Sequence, residues 1–489
     1  MLKDNLGKVI LFYLPPLILG VGMLLGTWPY MAGILICYIF LSLLILKFDW
    51  AIFIMLAVIP IVRFPGAGAY VQPIKYIISF AILFVWAIKK MITEENSKWE
   101  NIKNNPFNPF IVSFLLLIPI TTLHSVNTKL SFEFALSYII SFCTLYVLLD
   151  RLCGEIYIKK AVIALLFAAF LVACIAIFQY IVVCFGIFSN IGRFILPPLH
   201  RNILYQGKPP FFTHALYRSV GTFYHFNHLG IYLAMVMPIA ISLLFFVKDR
   251  IKHIGLLIVI VFIGVAIFCS GSRGAFLNLF ISTSFLGIVY RDRIPKKAIL
   301  FILLCVASGY LFFSPVIKLY FRMAEGLSYR DIIWKNSLEM IKERPFLGFG
   351  LGTFPQVFLS RYTFPSMVDF EDALGEIEIT GTSEVLGGFN AHNQFLNYAA
   401  EMGVFAVLLI FIFYITFART VCMLFRHRHP NFNYALLAAS SASVFGCFVH
   451  GFFEAYVTFY PLSIGTLFVF IVSLAVISAN NLRSDGIAH

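Results

Sequence analysis

Charge is what this chain has least of. Only 12% of its 489 residues are Asp, Glu, Lys or Arg, while 61% are hydrophobic. Soluble domains carry about 25% charged residues, so a deficit of this size excludes an ordinary water-soluble fold. The mean hydropathy of +0.91 agrees. Cysteine is missing where a disulfide scaffold would need it. The nine cysteines lie within or near apolar runs and none falls in either long polar segment, which predicts no structural disulfide there. No zinc-ligand spacing and no internal repeat is present. After Lys3 and Lys8 there is no small-residue cleavage site, so the first apolar run reads as a retained helix rather than a removed signal peptide.

What is present, from end to end, is apolar runs long enough to cross a bilayer. They predict spans at Val9–Leu25, Trp28–Leu46, Trp50–Val62, Ile74–Ile88, Phe110–Leu123, Phe132–Leu149, Ala161–Phe185 and Leu229–Val247. Further spans are predicted at Ile254–Phe268, Ala275–Tyr290, Ala298–Phe313, Phe395–Phe417, Tyr434–Val449 and Tyr456–Ala479. The third and fifth are short enough to be re-entrant segments. The fold class is all-α, a polytopic transmembrane helix bundle of about 12–14 spans with two long extracytoplasmic loops. The chain divides into N-terminal helices over 1–185, a loop over 186–228, central helices over 229–313, a large loop over 314–393 and C-terminal helices over 394–489.

A net charge of +13 suggests a nucleic-acid partner, but its distribution argues for the lipid bilayer instead. With the N-terminus placed in the cytoplasm, the inner segments collect 21 of the 36 basic residues against 10 acidic ones. The outer segments hold 15 against 13. That asymmetry is the one that orients membrane proteins. Both termini are therefore expected inside and both long loops outside. A transporter keeps its site near the bilayer midplane; this chain gathers its polar residues beyond one membrane face.

Several external residues carry chemistry. The first loop holds Arg193, His200, Arg201, Lys208 and His214, then Arg218-Ser-Val-Gly221-Thr-Phe223-Tyr-His225-Phe-Asn227-His228. Two readings stay open: a solvated basic rim against anionic headgroups, or a phosphate clamp, for which the planar guanidinium fork is suited. Between two spans, Cys269-Ser-Gly-Ser-Arg273-Gly-Ala275 sets a cation at an outer hairpin, against the basic-inside bias. Arg273 there either snorkels to the interface or meets an anion, and its flanking glycines permit close backbone approach.

In the second loop Ser328 is a fair cap for a helix to about Glu343, carrying Arg330 and Trp334. Its modest apolar face (Ile333, Ser337, Met340 and Ile341) is expected to rest on the membrane surface. The Pro345–Gly352 run looks like a nucleotide loop only superficially, since no strand precedes it. Asp369, Glu371, Asp372, Glu376, Glu378 and Glu384 read as solvated surface, without EF-hand spacing. The loop closes on Asn390-Ala-His392-Asn393 and runs on through Asn397, Glu401 and Gly403 into an apolar span. A helix start disfavours imidazolium, so His392 is expected neutral, as a general base must be; the competing reading is a cap or surface residue. His450 and Glu454 lie four residues apart at another outer helix end. They either face the same vestibule or pair with each other.

Taken together and in order, four pieces resemble the O-antigen ligase and polymerase superfamily of bacterial envelope glycan enzymes. They are Arg218-x-x-Gly221-x-Phe223 with Asn227, Ser272-Arg273-Gly274, Arg330-x-x-x-Trp334 with the Pro345–Gly352 run, and Ala391-His392-Asn393 with Glu401-x-Gly403. The resemblance covers roughly residues 218–454; the N-terminal half is similar only as a row of spans. It implies an inverting, metal-independent glycosyltransferase of GT-C type, without a cofactor, in the bacterial inner membrane and with its active site facing the periplasm. The implied donor is a glycan on undecaprenyl diphosphate. The implied acceptor is a hydroxyl of lipid A–core for a ligase, or the next lipid-linked repeat for a polymerase of O-antigen or exopolysaccharide. Arg218 and Arg273 match the arginines that hold the diphosphate, and His392 the histidine that activates the acceptor. Arg330, Asn227, Asn393, Glu401, His450 and Glu454 complete the candidate substrate-binding set. The span count exceeds that of the usual ligase, which leans towards a polymerase. A lipid-linked glycan flippase and a membrane scaffold are the rivals from other classes.

Overall fold

A computed structural model of the chain describes residues 48–60, 71–92, 102–152, 154–185, 218–223, 225–295, 330–361, 390–426, 431–455, 457–459 and 463–484. Among these residues there are fourteen helices and no strand. They are α1 (Phe48–Val58), α2 (Val71–Ile92), α3 (Asn108–Leu123), α4 (Thr128–Arg151), α5 (Glu155–Phe185), α6 (Phe226–Leu244) and α7 (Arg250–Ser270). There follow α8 (Arg273–Val289), α9 (Arg330–Glu343), α10 (Phe354–Arg361), α11 (Gln394–Met402), α12 (Val404–Arg426), α13 (Phe432–His450) and α14 (Ser463–Ser484). Seven of the described helices are long and apolar enough to cross a membrane: α4, α5, α6, α7, α12, α13 and α14. The shorter α1, α3 and α8 are also apolar. The chain is a polytopic helical membrane protein.

Helix starts are set by side chains that satisfy otherwise orphaned backbone N–H groups. Asn127, Asp249, Ser272, Asn393 and Asn431 each accept from a backbone N–H one turn in. The core is α6 with α7, α8 and α13 around it, and α14 closing on α13 and α4. Small and hydroxylated residues let these helices approach, as lipid-embedded helices require. Ser242 joins three of them, bonding the Tyr290 hydroxyl at 2.6 Å and donating to the Ala435 carbonyl at 2.7 Å. Ser443 donates to the Met235 carbonyl at 2.7 Å. By contrast α7 leaves Ile251, Ile254, Ile258, Val261, Val265 and Phe268 exposed along its flank, a surface that suits lipid.

The two ends of the bundle differ in chemistry. At one end Lys90 pairs with buried Asp150 at 2.8 Å, and Arg151 with Asp49 at 2.9 Å. Lys159 lies over the Phe432 ring and Arg293 over Phe246. These are the basic residues whose clustering suggested a cytoplasmic face. The opposite end carries a lobe made of α9, α10 and α11, with Ile333, Met340, Phe349, Phe354 and Phe358 in a small core of its own.

Two features depart from the expectations, and a third concerns the short third span. The span predicted at Phe395–Phe417 is two helices, α11 and α12, broken at Gly403. Gly403 has φ 78°, and a Cβ there would strike the Phe346 carbonyl and the Leu347 backbone nitrogen. The apolar face of α9 packs on α11 inside the lobe, so it is not spent on the membrane surface. The third predicted span, read as short enough to be re-entrant, is described as the eleven-residue α1. The predicted spans Val9–Leu25, Trp28–Leu46 and Ala298–Phe313, the five upstream basic residues of the first loop, Ser328 and the acidic run lie outside the described residues.

Candidate active site

At the lobe end, side chains from five separate stretches converge. Gln179 of α5 holds the first stretch by a reciprocal pair, donating to the Gly221 carbonyl and accepting from the Gly221 N–H, both at 2.8 Å. Thr222 donates to the Pro60 carbonyl at 2.6 Å. This pins the strand of chain on which Arg218 sits. Arg218 reaches the α7–α8 hairpin, donating to the Ser270 carbonyl at 3.3 Å and the Gly271 carbonyl at 3.2 Å, with its guanidinium over the Phe226 ring. Gly271 ends α7 with φ 57°, the left-handed turn that lets the hairpin close. Arg273 is the first residue of α8.

From that hairpin a polar chain crosses the site. Ser272 Oγ donates to Asn227 Oδ1 at 2.8 Å, and Asn227 Nδ2 donates to Glu454 Oε2 at 3.1 Å. Glu454 Oε1 accepts from the Ala455 N–H at 3.0 Å and faces His392 Nδ1 at 3.7 Å, an ion-pair separation longer than a hydrogen bond. Glu454 is 2% exposed. Burial alone would raise its pKa, but His392 beside it and the charges of His228 and Arg330 hold the carboxyl well below its ordinary value. Its surroundings favour the carboxylate form. His225, just outside α6, is pushed well below its usual value by burial, with His228, Arg218 and His392 adding to that against Glu454. Arg218, His392 and Glu454 thus all act on His225, while His392 and Arg330 act on Glu454, which puts these charges in one neighbourhood.

His392 is held by backbone geometry rather than by its ring. Its φ of 45° is the one positive value at a non-glycine residue among the described residues. Asn390 Oδ1 accepts from the His392 N–H at 2.7 Å. Asn393 caps α11 and donates to the Phe452 carbonyl at 3.2 Å, while the Gln394 N–H donates to the Gly451 carbonyl at 2.8 Å. Those two bonds tie the His392 turn to the end of α13, which is why Glu454 faces it. Among the described residues His392 Nδ1 has no hydrogen-bond partner.

Of the sequence-predicted residues, His392, Glu454, Asn227, Arg218 and Arg330 come together. Arg273 and Asn393 sit on the adjoining turns. His450 packs its ring against Gly274, with Nδ1 buried and unpartnered among the described residues, and does not pair with Glu454 by any close contact. Glu401 is directed elsewhere: its Oε1 accepts from the Phe354 N–H at 3.2 Å, at the start of α10. One contributor escaped the sequence reading, and Ser272 entered it only within its motif, without a role. Ser272 bridges to Asn227, and Gln179, a lone amide in an apolar run, fixes Gly221. The signal for Gln179 was its polarity inside a span, where unsatisfied groups are costly.

Residues 256–411 match the family model described as O-antigen ligase. This similarity, over about a third of the chain, supports the resemblance to the O-antigen ligase and polymerase superfamily. The ligase-family segment contains Arg273, Arg330, His392, Asn393 and Glu401. Arg218, Asn227, His450 and Glu454 lie outside it and are brought to it by the fold. No curated protein matches the chain.

Proposed function

We propose that the protein transfers a glycan from undecaprenyl diphosphate to an acceptor hydroxyl, acting as an O-antigen ligase on lipid A–core. The observation that carries this reading is the facing pair His392–Glu454, joined through Asn227 and Ser272 to the hairpin that carries Arg273 and holds Arg218. The acceptor is a neutral hydroxyl that must lose a proton as it attacks. His392 takes it at Nε2, since Nδ1 faces Glu454, and the buried carboxylate stabilises the imidazolium that forms. The leaving diphosphate is already a stable anion; it needs fixed positive charge, which Arg218 and Arg273 supply without a metal ion. Attack opposite the leaving group inverts the anomeric centre. A site at one end of the bundle, facing the periplasm of the inner membrane, is where a lipid-linked donor lying in the membrane plane meets its acceptor. The clustering of these groups away from the midplane favours transfer over flipping of the same lipid.

The test is transfer by purified protein in lipid nanodiscs, with undecaprenyl-diphosphate-linked glycan and lipid A–core. His392→Ala and Arg273→Ala are expected to lose at least about 100-fold in rate. Transfer by both variants at the wild-type rate overturns the mechanism. The alternative within the superfamily, a polymerase, predicts that gene deletion abolishes long glycan chains; the ligase predicts long chains that fail to attach to lipid A–core.

A further inference from the structure

The peptide that carries His392 is gripped on both sides by groups outside the proposed chemistry. Trp334 Nε1 of α9 donates to the Ala391 carbonyl at 3.0 Å. Asn397 Oδ1 of α11 accepts from the Ala391 N–H at 3.2 Å. Both hydrogen-bonding groups of Ala391 are thus taken by side chains, one residue before the left-handed His392. A non-glycine residue at φ 45° stores strain and persists only where its surroundings over-determine it.

The Asn397 side chain in turn favours the ionised form of the Glu401 carboxyl. Glu401 is locked into the Pro345–Gly352 turn: its carbonyl accepts from the Gly350 N–H at 2.8 Å, and its neighbour Ala400 accepts from the Phe349 N–H at 2.9 Å. A Cβ at Gly348 would strike the Glu401 and Ala400 backbone, so that turn closes only with glycine there. The glycine-rich run, which no phosphate reading explains, thereby supports the Asn397 side of the grip.

We propose that Trp334 and Asn397, backed by Glu401 and the 345–352 turn, are positioning residues that fix the His392 imidazole against Glu454. This rests on His392 being the base in the function proposed above. None of these groups touches a reacting atom; each acts through the Ala391 peptide. The role also accounts for Glu401, which joins the site at one remove rather than binding substrate.

Trp334→Phe keeps an aromatic ring and removes only the N–H, so it is the sharpest test; Asn397→Ala is the second variant. Two readouts are taken on folded protein in nanodiscs, checked by thermal melting. The first is transfer from undecaprenyl-diphosphate-linked glycan to lipid A–core. The second is the rate at which diethyl pyrocarbonate modifies His392, followed by mass spectrometry and independent of any transfer activity. Each variant should lose about 10- to 100-fold in kcat with the donor KM within about twofold, because misplacement, not binding, is the fault. His392 should be modified faster as its turn relaxes. Modification at the wild-type rate overturns the proposal, whatever happens to kcat; so does a raised KM with kcat unchanged, which would put Trp334 on the substrate. If His392→Ala transfers like wild type, the functional reading falls, and the grip is judged on the modification rate alone.

Discussion

Two carboxylates at the lobe end show how surroundings decide what a residue is for. Glu454 and Glu401 are equally buried, at 2% and 3% exposure. Glu454 has cationic neighbours and stays ionised. Glu401 has hydrogen bonds but no opposing cation among the described residues, and burial pushes its pKa up to about 7, against the pull of Gly352, Phe354 and Asn397. The folded chain thus holds the Glu401 proton more tightly than the unfolded chain does. The stability from that difference is fully present below about pH 4.5 and is lost as pH rises towards 7. The gap corresponds to about 3 kcal/mol. Glu401→Gln, which carries no charge at any pH, should flatten the decline in melting temperature between these values in detergent. An unchanged slope would assign the pH dependence to other groups. In the sequence, these two residues looked alike, each an acid near an outer helix end. Their roles separate only when distant stretches meet: Asn227 and His392 for Glu454, Phe354 and Gly352 for Glu401.

Elements were legible in proportion to how far local chemistry dictated them. The spans of the described core match apolar runs because lipid accepts little else. The helix start after residue 390 was readable, but its cap is Asn393 rather than His392. The lobe could not. Its geometry depends on pairings across long sequence distances, such as the Val126 N–H to the Phe349 carbonyl at 2.9 Å and the Phe349 N–H to the Ala400 carbonyl. The break between α11 and α12 was hidden for the same reason, since the flanking residues are apolar and only the approach of residues 345–347 demands a turn. Gly403→Ala tests this. The new methyl group would need φ 78° and would meet backbone atoms that have no rotamer to escape into. The expected cost is at least about 3 kcal/mol, seen as a lowered melting temperature and faster proteolysis of the lobe. A neutral outcome would mean that the α11–α12 junction tolerates a different path.

At the scale of the whole molecule, orientation and chemistry are one question, because the end that carries the candidate site and the basic end are opposite. The basic end joins the last turns of α2, α4, α6, α8 and α14 to the first turns of α1, α5, α7 and α13 through contacts such as Lys90–Asp150, Arg151–Asp49 and Asn481–Asn433. The His392 end joins the last turns of α5, α7 and α13 to the first turns of α6, α8 and α11. No helix of the core contributes the same end to both. Lys and Arg at short loops resist translocation, so the basic end should stay in the cytoplasm and His392 should face out. This can be read in cells through cysteines placed in a variant lacking the native ones. Phe452, 39% exposed beside the His392 turn, is replaced by Cys in one protein, and Asp292, exposed at the basic end, in another. In spheroplasts, a membrane-impermeant maleimide should label Phe452→Cys at once and Asp292→Cys only after permeabilisation. The reverse pattern would put His392 in the cytoplasm, where a periplasmic glycan transferase could not use it, and would remove the proposed function together with the orientation.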